Sequence, residues 1–384
     1  MVKTFNILVI ALLLQACSAS KALESGNYDL AISRAVSKLE RQPNNYTSIE
    51  TLKSAYQKST QSELEKIETL KNENTAESWE SAFFSYEQII RKQRQISGLE
   101  SLDQILSFND FNGEAENAKT KAAILFFEKG EKVLENAITK RDYQIAYELL
   151  SKTNKYSPNY KNVTDLLAAT KEQGTYHILI TIENPNNLAL PDEFIPMLTQ
   201  FKEEKLNKTW AIFYSKYEIG KIYDYNANLV LEAFAVGSDK TETKKYNEER
   251  DVITSYKIEK DEKGNVKKDD KGEVIKTPVY TTKKASITKT IRSKEAFVRG
   301  NLQLIDNFNM NTFKTVNVSG NYKFESETAT YKGDEVALSK DTKSLIKAKL
   351  KPFPTYKSIL MDAGADLRSN LFLQLRINQN QFGE

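Results

Sequence analysis

The chain of 384 residues holds one cysteine, Cys17, and one histidine, His177. A single cysteine excludes an internal disulfide, so packing must stabilise whatever folds. Together the two exclude a zinc centre of the Cys/His type, which takes three or four such ligands. Any histidine-based triad is confined to His177. No Gly-x-Gly-x-x-Gly, Walker loop or Gly-x-Ser-x-Gly elbow is present, so bound nucleotide and elbow-type hydrolysis lack motif support. Long apolar runs are missing too. After residue 16 none approaches the roughly 20 residues that a membrane-spanning helix takes. Charge of one sign is also scarce. Lys and Arg number 55 against 52 Asp and Glu; residues 1–16 carry only Lys3, so the remainder has a net charge of +2. No global field draws nucleic acid or an anionic surface to this chain.

What is present begins at the first residues. Lys3 is followed by the apolar run Ile7 to Leu14 and then by Leu14-Gln15-Ala16-Cys17. A charged start, a short apolar middle and small residues before a cut mark an export signal. The stretch resembles the lipobox of bacterial lipoprotein signal peptides. That resemblance implies that residues 1–16 are a signal peptide, that cleavage precedes Cys17, and that Cys17 carries a diacylglycerol, a fatty-acyl anchor of the palmitate kind. A lipid of this kind holds a protein to a membrane without a helix. Ser18 follows where an Asp would favour inner-membrane retention, so the resemblance implies an outer-membrane anchor facing the periplasm.

Residues 17–174 read as a helical domain. Gly26-Asn27-Tyr28-Asp29-Leu30-Ala31 runs to Pro43, and Arg141-Asp142-Tyr143-Gln144-Ile145-Ala146 runs to Pro158. In both, alanine follows tyrosine by three and proline follows alanine by twelve. These units resemble the second helix of a tetratricopeptide repeat, in which the aromatic and small residues pack on a partner helix and proline ends the unit. The resemblance places Tyr28 and Tyr143 on a packed face and Arg34, Lys38 and Gln144 on an open flank. Ahead of the second unit, Ala122, Leu125, Phe126, Val133, Leu134, Ala137 and Ile138 step by three and four, the signature of one helix face. Two longer helices are expected at 46–71 and 76–96, and 107–113 is a turn-rich break. The tyrosines here fit packing better than sugar stacking.

Residues 175–384 read as strand-rich. His177 to Ile182 alternates as a strand with His177 on its polar, exposed side; Pro191 opens a helix buried through Phe194, Met197, Leu198 and Phe201. Strands follow at 209–214, 228–236, 279–291, 296–306, 313–318 and 321–325. A charged arm, 238–276, contains the tandem repeat Lys260 to Lys267 and Lys268 to Ile275, each with a glycine turn signal. Lys267 and Lys271 stand at two of the three acid positions a calcium loop needs before Gly272, so a solvated hairpin is expected. Ile359, Ala363, Leu367, Leu371 and Leu375 step by four in a closing helix, 357–378. The element order, with Leu302 to Asp306 and Val318 to Gly320, resembles the α/β domain of curli-secretion channel lipoproteins and of lipoprotein activators of penicillin-binding proteins.

The fold class is therefore α+β: a repeat-like helical array, then an α/β domain with a charged arm and a terminal helix. Three Ser-x-x-Lys spacings occur, at Ser18/Lys21, Ser286/Lys289 and Ser344/Lys347, without the partner motifs of serine acyl transferases. Nothing singles out a carboxylate pair. No catalytic, cofactor-binding or metal-binding residue is expected; Cys17 is the one site. The function expected is that of a lipid-anchored envelope scaffold acting through protein partners and the membrane, without nucleic acid. The alternatives are a curli-type channel subunit and a carboxylate-based hydrolase.

Overall fold

A computed structural model describes residues 19–99 and 106–382. The chain divides into two compact units, residues 1–175 and 176–384. The first unit is helical and the second is a mixed sheet with a terminal helix, so the molecule is α+β.

In the first unit, α1 (Tyr28–Leu39), α2 (Tyr46–Glu73), α3 (Ala76–Ser97), α4 (Asn112–Glu135), α5 (Lys140–Tyr156) and α6 (Val163–Gly174) each pack on the next in sequence. Asn27, Asn45, Thr75 and Thr139 start four of them by accepting a bond from a first-turn backbone N–H. Asn74, left-handed at φ 51°, stops α2. The apolar interior comes as several small clusters. Ile32, Val36, Leu52 and Ile96 form one, Ile67, Tyr86 and Ile89 the next, Phe126 and Tyr156 a third, and Phe127, Leu150 and Val163 a fourth. This is how a stacked array buries its faces, pair by pair.

Two expectations change here. Helix α4 ends at Glu135 with Asn136 as its cap, so Ile138 lies beyond the helix and is 90% exposed. Phe127, outside the expected stripe, is fully buried. Gln144 is buried, 6% exposed, and its Nε2 donates to the Gly174 carbonyl at 2.9 Å. It ties α5 to the end of α6 and is no part of an open flank.

The second unit runs β1 (Tyr176–Glu183), α7 (Phe194–Leu198), β2 (Ala211–Tyr214), β3 (Tyr225–Val236), β4 (Lys240–Ile258), β5 (Lys276–Asp306), β6 (Asn311–Gly333), α8 (Lys340–Lys347) and α9 (Tyr356–Asn378). β1 lies between β2 and β3, parallel to both. One edge of β5 pairs antiparallel with β3 along Ala296–Asp306, then with β4 along Lys276–Ser293. Its other edge pairs with β6 from Ala285 to Asp306.

One core holds this unit. Ile359, Ala363, Leu367, Leu371 and Leu375 of α9, all fully buried, meet Leu229, Leu231, Val298, Leu302 and Leu304 of the sheet and Phe194 of α7. Fully burying each leucine contributes about 1.5–3 kcal/mol. The strands expected at 279–291 and 296–306 are a single strand, as are those at 313–318 and 321–325.

Candidate functional site

Cys17, the one site residue expected, lies outside the described residues, as does Ser18. His177 is half-buried rather than exposed and alone. Its Nδ1 lies 3.0 Å from the Tyr214 hydroxyl, and its backbone N–H donates to Asp224 Oδ2 at 2.8 Å. The loop after β2 folds back beside it, bringing Lys221 over the Tyr214 ring at 4.1 Å. Ser286 and Lys289 are three apart in β5 and face opposite ways, and Lys289 pairs with Glu327 at 2.8 Å. Ser344 donates to the carbonyl of Lys340 in its own helix. Among the described residues no group of His, Cys, Asp or Glu is arranged to hold a metal ion, and no helix is long and apolar enough to cross a membrane.

The unusual surface is the arm. β6 accompanies β5 only as far as Ala285, while the β4–β5 ladder continues from Glu248↔Ala285 to Ile258↔Lys276. Past Ala285, therefore, a two-stranded ribbon leaves the sheet. Ribbon strands alternate faces, so Ile253 and Tyr256, three apart, belong on opposite sides. They are on the same side because the register shifts between Ile253 and Ser255, leaving Thr254 as an extra residue. The Thr254 hydroxyl lies 2.9 Å from that of Thr281 across the ladder.

The bulge collects Ile253, Tyr256, Ile258 and Tyr280 on one face, with Pro278 among them. The four are 46, 57, 46 and 59% exposed. The opposite face carries Arg250, Lys283, Thr281 and Lys257, with Val252 and Val279 between. Large apolar side chains held out together mark contact surfaces more often than isolated ones do.

The tandem repeat caps the ribbon. In its first copy the Asp261 carboxylate accepts the N–H groups of Lys263 and Asn265; in its second, Asp269 accepts those of Lys271 and Glu273. Gly264 and Gly272 sit at φ 88° and 83°, where a side chain is strained. Each copy is a closed turn, and each leading aspartate is occupied by its own backbone. Bonding from Asn265, first among its causes, holds the Asp261 carboxyl below its ordinary value.

At the base, Glu248 of β4 accepts three bonds from the start of α8: the Ser339 N–H at 2.6 Å, the Ser339 hydroxyl at 2.8 Å and the Thr342 hydroxyl at 2.6 Å. The ribbon root is thereby clamped to a helix packed on Ala285, Ile287 and Ala329. The sequence marked the arm by its charge but not its apolar face, because a bulge inverts the period that would have signalled it. No protein-family model matches the chain, and no curated protein sequence matches it.

Proposed function

We propose that this protein is a lipid-anchored scaffold of the cell envelope that acts through protein partners, with the ribbon as its docking element. The observation that carries the reading is the apolar quartet Ile253, Tyr256, Ile258 and Tyr280, aligned by a one-residue bulge on a ribbon clamped at its root. Tyrosines and isoleucines on a rigid support lose little freedom on binding, which is what contact hot spots need. Glu249, Lys284 and Asp251 lie on the same face nearer the root. Those charges favour a protein partner over the apolar lipid-facing band of a channel strand. The lipid on Cys17 remains what the lipobox resemblance implies.

One experiment in intact cells addresses both parts. A photo-crosslinking residue at position 256 or 280 is expected to give discrete adducts, and one at position 257 or 281, on the opposite face, is not. Equal adduct patterns on both faces would sink the docking assignment. In the same cells Cys17→Ala is expected to leave the membrane fraction or persist as uncleaved precursor; a cleaved variant still fractionating with membranes removes the anchor.

A further inference from the structure

We infer that two neighbouring loops of the second unit form an apolar tip that inserts into the surface of a phospholipid bilayer. Among the described residues five large apolar side chains are at least 83% exposed, and all but Ile138 stand on these loops. Ile219 and Ile222, 97 and 84% exposed, lie on the 215–224 loop between β2 and β3. Phe308 and Met310, 93 and 83% exposed, lie on the 307–310 turn between β5 and β6. The two loops are tied together. The Asn307 backbone N–H donates to the Asp224 carbonyl at 2.9 Å, and its side-chain amide donates to the Tyr223 carbonyl at 2.9 Å. Single apolar residues on a surface are ordinary, but a group on joined loops marks a contact site.

Both loops are held in shape. Gly220 at φ 85° and the Lys221 N–H on the Glu218 carbonyl close a turn with Ile219 at its apex. The Tyr223 hydroxyl accepts the Glu218 N–H at 2.9 Å. In the second loop the Asp306 carboxylate accepts the N–H groups of Phe308 and Asn309 and the Asn309 amide. Met310 sits at φ 51°, where glycine or asparagine is at ease and a long side chain is strained. Strain of this kind gathers at functional positions.

The presentation of these side chains and the groups around them select lipid. They project from the surface rather than line a groove, so a protein partner would need a separate pocket for each. A fluid acyl layer closes round a projecting side chain without a matching shape. Residues 307–313, Asn-Phe-Asn-Met-Asn-Thr-Phe, hold no charge. The acids beside them are engaged: Asp306 by its own turn, Asp224 by the His177 N–H at 2.8 Å, Glu218 by Lys221 at 2.7 Å. No free carboxylate and no bare Phe308 or Asn309 N–H therefore opposes entry. A bilayer is also at hand. The anchor proposed at Cys17 closely precedes Ala22, which packs in the first helical cluster. That tether spans at most about 18 Å. The inference adds to the anchor reading and is tested without the anchor.

The test uses the mature chain, residues 17–384, carrying Cys17→Ala, which has neither lipid nor cysteine. One cysteine is introduced as Ile219→Cys, Phe308→Cys or, at the ribbon tip, Glu262→Cys, and labelled with an environment-sensitive fluorophore. With phosphatidylcholine vesicles, emission at 219 and 308 is expected to shift to the blue and to be quenched by brominated acyl chains. Emission at 262 is not. In the unlabelled chain, Phe308→Ser with Met310→Ser should weaken vesicle co-sedimentation by at least about tenfold, with circular dichroism unchanged. Binding should survive about 1 M salt, which screens charges within about 3 Å. No shift at 219 and 308, co-sedimentation unchanged by the double substitution, or binding that salt abolishes overturns the proposal. So does a fluorophore shielded without vesicles, since a protein surface then covers the loops.

Discussion

Gly320 decides how closely α9 approaches the sheet. A Cβ built there would lie 2.2 Å from both the Ala363 carbonyl oxygen and the Leu367 nitrogen. Both are backbone atoms of a packed helix and cannot swing aside. Gly320→Ala should therefore cost about 1–3 kcal/mol or more, as overpacking does, measured by urea denaturation. Gly113→Ala, with nothing within 4 Å, should be neutral or stabilising. Single residues of this kind were poorly legible. The sequence offered Ser319-Gly320 as a break between strands, because glycine is a turn signal as well as a contact point. Gln144 looked like flank, because nothing in a local pattern tells that a distant carbonyl, that of Gly174, needs a donor. Leu367 and its four-step neighbours were legible, because period alone fixes a buried helix face.

At the scale of elements, length was the hard quantity. Arg292-Ser293-Lys294-Glu295 reads as a charged interruption, yet β5 passes straight through it. Lys294 Nζ donates to the Pro354 carbonyl and pairs with Asp239 at 3.0 Å, and Arg292 bonds the Lys351 carbonyl. Partners distant in sequence accept these charges, so the strand need not end. The ribbon tip behaves differently. Replacing Lys260–Val274 by an Asn-Gly turn should leave the thermal midpoint nearly unchanged, since exposed charges contribute only about 0–1 kcal/mol each. A large drop would mean that the tip packs on the body.

The Glu248 clamp should show itself through pH. Burial raises the Glu248 carboxyl, but bonds from Thr342 and Ser339 outweigh it and hold the carboxyl below its ordinary value. A folded-state value below the unfolded one gives stability that is present above the unfolded value, near 4.5, and lost as pH falls through the folded one. The protection of the 339–347 amides against hydrogen exchange, taken relative to the intrinsic rate at each pH, should therefore fall on acidification in that range. Glu248→Gln should show low protection already at neutral pH, with little further loss in acid.

The whole molecule consists of two differently organised units. The first has serial small clusters, the second one core. A chain beginning at Thr175 should fold alone, with strand-rich circular dichroism and one cooperative melt, while the full chain should unfold in urea with two separable transitions. A molten 175–384 product, or a single transition for the full chain, would mean that the units share stability. The order of helices then sheet was legible from the change of period near Gly174. The single core of the second unit was less so, since it depends on which sheet face α9 covers.

That dependence sets a timetable for synthesis. The sheet's apolar side, with Leu229, Leu302 and Val318, has only the short α7, through Phe194, Met197 and Leu198, to cover it until α9 and Phe382 have emerged. Every nascent chain thus passes an interval with the strands made and most of their greasy face open to water, whereas the helical pairs before them close as they appear. A chain stalled between Gly333 and Tyr356 should be the form that chaperones hold longest.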